Sequence, residues 1–130
     1  MVIDTSALFA IVMDEPERHA LHAAIEADPQ RLLSAASLLE ARIVLWRRAG
    51  EIAVRKFDDY LRRAGIEVAP VTVEDSDPAF DAFRRFGKGN HRAGLNFGDC
   101  FAYALAMSNG EPLLFKSADF AATDVTPVSF

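Results

Sequence analysis

Four short apolar segments, separated by stretches of helical composition, constrain this chain most. Val2-Ile3, Arg31–Ser34, Ile66–Val73 and Pro112–Phe115 read as buried strands. Between them lie helical stretches at Thr5–Met13 and Glu17–Ala27, opened in the first case by Thr5 or Ser6. Two further helices, the first opened by Ser34 or Ser37, close on Arg47-Arg48-Ala49-Gly50 and Arg62-Arg63-Ala64-Gly65. In both endings, cations answer the helix dipole and glycine supplies the left-handed cap. A helix with Pro78 in its first turn carries Phe80, Phe83 and Phe86, and Asp99–Asn109 forms another. Short strands alternating with helices indicate an α/β fold with a mainly parallel sheet of four strands. Thr126–Phe130 is expected as a fifth, edge strand. Ligands of such sheets bind beyond the carboxyl ends of the strands.

The chain has 130 residues, 51% of them apolar and 25% charged. That is one domain, residues 1–130, long enough to bury roughly two-thirds of its unfolded surface. Disordered and disulfide-stapled classes are excluded. The longest apolar runs, Ala7–Met13 and Phe101–Met107, are seven residues each. A membrane-spanning helix needs roughly 20, so none is expected. Asp4, Asp14 and Glu15 stand where a secretory signal would be basic. Cys100 has no partner for an internal disulfide, which fits a reducing cytoplasm.

The net charge is −5, which argues against a simple polyanion-binding module. The distribution is uneven. Residues 84–92 hold four cations, Arg84, Arg85, Lys88 and Arg92, with His91 and no acid. Without those four, ten cations face nineteen acids, a balance of −9. A basic loop on an acidic body suits contact with a phosphate backbone in one place and concentrated carboxylates in another.

Nucleotide-binding fingerprints are absent. Gly87-Lys88-Gly89 begins a G-x-G-x-x-G pattern, but Arg92 stands where the last glycine belongs. One cysteine and three scattered histidines cannot build a tetrahedral zinc site, and His19 and His22 read as a solvated helix face. What remains is acids in apolar company. Asp4 follows the first strand, Glu40 interrupts Leu38-Leu39 and Ala41, Asp99 opens a helix of core-type residues, and Asp119 lies between Ala118 and Phe120. Burying unpaired carboxylates is costly. Each acid taken singly reads as readily as a cap, a turn residue or an ion-pair partner. Taken together, they point either to salt bridges with arginines or to a shared hard cation. An all-oxygen site without histidine suits Mg²⁺ or Mn²⁺.

The segments Val2-Ile3-Asp4-Thr5-Ser6-Ala7, Ser37-x-x-Glu40, Leu95–Ala104 and Leu113-Leu114-Phe115-Lys116-x-x-Asp119-Phe120-x-x-Thr123-Asp124 resemble, in order, those of PIN-domain ribonucleases. More narrowly, the chain is similar to the VapC toxins of type II toxin–antitoxin pairs. Ser117 departs from the glycine that family members often carry in that turn. The resemblance implies a three-layer α/β/α PIN-like fold. It implies a catalytic quartet of Asp4, Glu40, Asp99 and Asp119, with Asp4 and Asp99 as the principal Mg²⁺ ligands, Ser6 supporting the site, and Asp124 as a further candidate. It also implies a homodimer, a cognate VapB-type antitoxin across the active-site groove, and cleavage of a structured RNA such as tRNA or rRNA that stalls translation.

In that setting Lys88, His91 and Arg92, with Ser6, are the expected substrate contacts. Glu40 or Asp119 would orient or deprotonate the attacking water. Cys100 reads as core filler, and Phe80, Phe83 and Phe86 as core or interface. Trp46 and its apolar neighbours suggest association. Two rivals remain: a receiver-like phosphoacceptor domain, with Lys116 as its lysine, and a PIN fold that binds RNA or a partner without cutting. Asp4 stands alone where a receiver needs paired acids, and a pure binder gains nothing from clustered like charges.

Overall fold

The computed structural model describes all 130 residues. Four strands, β1 (Val2–Ile3), β2 (Leu32–Ser34), β3 (Glu67–Ala69) and β4 (Leu113–Leu114), form one sheet in the order β3-β2-β1-β4. Every pairing is parallel, with Val2 opposite Leu32 and Leu113, and Leu33 opposite Val68. Five helices connect them: α1 (Thr5–Val12), α2 (Arg18–Ala27), α3 (Ala35–Arg63), α4 (Ser76–Phe86) and α5 (Phe97–Asn109). A 3₁₀ turn over Phe120–Ala122 follows β4.

The period-2 alternation of the strands produces the layers. Ile3, Leu33 and Leu114 join Leu8, Leu21, Ile25, Leu45, Phe57 and Leu61 in one core, built with α1, α2 and α3. Val2, Leu32 and Leu113 point the other way, to Ala82 of α4, Tyr103 and Ala106 of α5, and Phe120. The result is the three-layer α/β/α arrangement. Strands of two or three residues suffice because both faces are covered.

The sequence reading and the structure differ at element ends, for local reasons. β3 stops at Ala69 because its partner β2 ends at Ser34, where α3 begins. The expected fifth strand is reduced to one parallel bridge, Leu113 to Pro127, held by the Leu113 N–H on the Thr126 carbonyl at 2.8 Å and the Val128 N–H on the Leu113 carbonyl at 3.0 Å. The two helices expected on either side of Gly50 are both present: Gly50, at a non-helical φ of +71°, breaks α3 into two helices joined across a kink. Asp4 itself, rather than Thr5 or Ser6, caps α1, and α5 starts at Phe97, two residues before Asp99, because Asn96 caps it.

The strand order places the site. From β1 the chain turns one way to β2 and β3, while β4 pairs on the other side of β1. That reversal opens a crevice at the carboxyl ends of β1 and β4, the usual ligand position in such sheets. Phe57 is fully buried in the core that supports this edge. Phe57→Ala should cost about 3–5 kcal/mol in urea unfolding at pH 7; a cost under about 1 kcal/mol would show that this core is not packed as described.

Candidate active site

Asp4 leaves β1 directly into the crevice and is 3% exposed. Its N–H donates to the Leu114 carbonyl at 2.9 Å, which locks it beside β4. Its Oδ2 accepts from the Ser6 N–H at 2.9 Å and from the Ser6 hydroxyl at 2.6 Å. The Ser6 oxygen in turn accepts from the backbone N–H of Lys116 at 3.0 Å and of Ser117 at 3.3 Å. One proton and two lone pairs are thereby used. Ser6, expected both to support the site and to contact substrate, braces the end of β1 against the turn after β4.

Asp99 sits in the first turn of α5. Its Oδ2 accepts from the Asn96 N–H at 2.7 Å, while its own N–H donates to Asn96 Oδ1 at 2.9 Å. This reciprocal capping box fixes the carboxylate against the helix end. Glu40, half-buried in the second turn of α3, lies against Gly98. An added Cβ at Gly98 would fall 2.6 Å from Glu40 Oε1 and closer still to Oε2. Asp119, half-buried, precedes the 3₁₀ turn and makes no capping hydrogen bond.

Asp4, Glu40 and Asp99 are each pushed up in part by the charge of another acid of the group. Burial pushes Asp4 upward, hydrogen bonds from Ser6 oppose it, and the charge of Asp119 adds to the rise. Burial and the charge of Asp4 raise Glu40. Asp99 is pushed up to about 7, first by burial and then, against its Asn96 hydrogen bond, by the charges of Asp4, Asp119 and Glu40. None of the four forms an ion pair. Salt bridges to arginines, one of the two reasons for burying these acids, are therefore absent. Lys116, three residues before Asp119, turns away to Glu15 and to Glu17, the latter at 2.8 Å.

No group of three or more acid, histidine or cysteine side chains closes to metal-binding spacing. Mg²⁺ does not require such a cage, since it retains several waters and binds through one or two carboxylates. The donor set fits that ion: oxygen only, no internal counter-charge, and one oxygen each on Asp4 and Asp99 outside the bonds to Ser6 and Asn96.

The basic loop leads into Asn96 and α5. His91 serves the turn: its Nδ1 accepts from the Ala93 N–H at 3.1 Å, and its ring meets Phe86 edge-on at 5.3 Å. Lys88 and Arg92 are exposed and unpaired. Asp124 is not part of the acid cluster. Its carboxylate binds Arg85 at 2.6 Å and the Tyr103 hydroxyl at 2.7 Å, and these contacts outweigh burial and keep it low. Cys100 is buried, with its thiol pushed up to about 11 by burial and by Asp99, unlike a nucleophile. Phe80, expected in a core or interface, is 62% exposed, and with Phe83, Phe97 and Phe101 it lines a cleft of about 490 Å³.

With this geometry in place, comparison with known proteins decides the family. The PIN domain family model matches residues 1–125. The chain is 50% identical over 129 residues to the VapC ribonuclease Mb0640 of Mycobacterium bovis, covering 99% of this chain and 98% of that one. It is 52% identical over 128 residues to the ribonuclease VapC of Mycolicibacterium smegmatis, covering 98% and 99%. The chain belongs to the PIN domain family.

Within that family it is a VapC ribonuclease, an endoribonuclease toxin of the VapBC type. Among solved structures, Mycobacterium tuberculosis VapC20, described as a sarcin-ricin loop cleaving toxin, shares the fold with a TM-score of 0.79 at 20% identity, over 99% of this chain and 98% of that one. VapBC2 of Rickettsia felis, bound to a DNA fragment from its promoter, shares it at 0.75 and 12% identity, over 98% and 96%. The receiver reading falls, and Lys116 has its own carboxylate partners.

Asn96 and Gly98 were not singled out in the sequence. The first was legible as an Asn-x-x-Asp capping signature; the second fell just before the helix start expected at Asp99 and so read as a loop glycine.

The raised Asp99 gives a pH test. Its folded pKa, about 7, exceeds the ordinary 3.8, so folding takes up a proton between those values. The stabilisation present at low pH is lost as pH rises through 7. Asp99→Asn should therefore raise the melting temperature at pH 8 in EDTA by roughly 3 °C or more, and the gain should vanish at pH 4. An equal change at both pH values would contradict the assignment.

Proposed function

We propose that Asp4, Glu40, Asp99 and Asp119 form the catalytic centre of this VapC ribonuclease and that Asp4 and Asp99 hold Mg²⁺, with Mn²⁺ as a substitute. The observation that carries the reading is four mutually repelling carboxylates with no protein cation among them, at the topological switch of the sheet. A bound divalent ion there supplies charge relief on the phosphate and a more acidic water. The chain's own residues do the rest. Ser6 and Asn96 hold one oxygen each of Asp4 and Asp99, so the remaining oxygens have fixed directions. Glu40 or Asp119, neither held by an ion pair, orients the water and takes its proton.

Lys88 and Arg92 are the unpaired cations of the loop that leads to Asp99, and they would hold the RNA backbone against an acidic centre. His91 would join them only through Nε2, since Nδ1 is engaged. Few cations imply modest, salt-sensitive affinity, so selectivity would rest on RNA shape and unstacked bases. The substrate we propose is a structured RNA, tRNA or rRNA. The latter is consistent with VapC20, a sarcin-ricin loop cleaving toxin that shares this fold. A VapB-type antitoxin and a second copy of the chain are the proposed partners. Support comes from the exposed apolar residues Leu39, Ile43, Trp46, Phe80 and Phe97. No helix is long and apolar enough to cross a membrane, and the proposed setting is the cytoplasm.

Purified protein should cleave total tRNA or rRNA with Mg²⁺, and EDTA should stop it. Asp4→Ala and Asp99→Ala should each lower the rate at least about 100-fold while the fold is retained by circular dichroism. Full activity of either variant would remove that residue from the centre. Lys88→Ala and Arg92→Ala should instead raise KM several-fold and flatten its salt dependence; an unchanged KM in both would leave the loop without a role in binding.

A further inference from the structure

We infer that Gly98 is a positioning residue for Glu40: the missing side chain at the second position of α5 lets the Glu40 carboxylate rest on the first turn of that helix, beside Asp99. The inference rests on the catalytic role proposed above for Glu40. A Cβ on Gly98 would overlap Glu40 Oε2 and lie 2.6 Å from Oε1 and 2.7 Å from Cδ. Real Cβ atoms do not approach neighbours so closely, so any side chain at 98 must displace the carboxylate.

Backbone freedom does not explain this glycine. Gly98 lies inside a regular helix, and its φ is outside the left-handed region in which Gly50, Gly65, Gly89, Gly94 and Gly110 lie. At such a position alanine is the better helix former, and glycine is expected where another group must come close. The nearest group here is the carboxylate, since all three nearest atoms belong to Glu40. Glu40 has no ion-pair partner to hold it, so the surface of α5 sets where its oxygens stand. Residues 40 and 98 are therefore coupled: alanine at 98 makes a full-length glutamate move its carboxylate aside, a small energetic cost for a flexible side chain but a loss of position, whereas a shorter acid tolerates alanine.

The test is a double-mutant cycle on the full chain, read as apparent kcat and KM on total tRNA or rRNA and as melting temperature. Gly98→Ala should lower kcat roughly tenfold or more with KM within about twofold, the pattern of a misplaced group that acts in the transition state. In the Glu40→Asp background, one methylene shorter, the same change should cost less than about threefold, because the acid no longer reaches the added methyl group. Melting temperature reads the contact without chemistry. Gly98→Ala should raise it less when Glu40 is present than in the Glu40→Ala background, where only helix propensity remains. Wild-type kcat in Gly98→Ala, or equal losses in the wild-type and Glu40→Asp backgrounds, would overturn the inference. So would an equal melting-temperature change in the wild-type and Glu40→Ala backgrounds. Glu40→Gln at the wild-type rate would overturn it through the role assigned to Glu40, a failure distinct from that of the contact.

Discussion

Repulsion among Asp4, Glu40, Asp99 and Asp119 is the interaction on which the rest of this structure depends. Burial removes the water that would screen these charges, and the protein supplies no cation in its place. Elsewhere the chain pairs its acids readily: Asp14 with Lys56, Asp58 with Arg42, Asp124 with Arg85. Even Lys116, which follows β4 toward the crevice, is held by Glu15 and Glu17. A cluster kept free of counter-charge is poised for a cation from solution. Holding it together falls to hydrogen bonds and helix ends.

Those helix ends reconcile two readings that looked like alternatives in the sequence. Asp4 is the N-cap of α1, Asp99 completes the capping box of α5, and Asp119 precedes a 3₁₀ turn. Each is a capping or turn residue and each belongs to the acid cluster. In a parallel sheet, helices start at the carboxyl ends of strands, where the site also lies. The positive ends of the helix dipoles offset part of the repulsion among the acids they carry. Only Glu40 lies beyond the first turn of its helix, and it alone has a glycine opposite at its point of approach.

Much of this was legible in the sequence. The strands announced themselves as apolar runs cut off by capping residues, and the two cores follow from their alternation. The four acids stood out by their apolar company. What could not be read is what depends on contacts between distant segments. The hydroxyl of Ser6 meets Lys116 and Ser117, more than a hundred positions away, so its bracing role was hidden. Asp124 looked like another acid of the same kind until Arg85 and Tyr103, 39 and 21 positions away, were found against it. Of the basic loop, the sequence could count cations but not separate Arg85, spent on Asp124 and Asp81, from Lys88 and Arg92. The edge strand contracts to a single bridge at Pro127, whose nitrogen faces away from β4, so a proline is tolerated at that edge.

The central claim is that a divalent cation replaces protons in this cluster. Proton release on Mg²⁺ binding, measured by titration calorimetry in two buffers of different ionisation enthalpy, tests it without any RNA. With Asp99 near 7, wild-type protein at pH 6.5 should release a large fraction of a proton per ion bound. The release should shrink at pH 8.5 and disappear in Asp99→Asn. Binding with no proton release at pH 6.5, or no binding at either pH, would contradict the account.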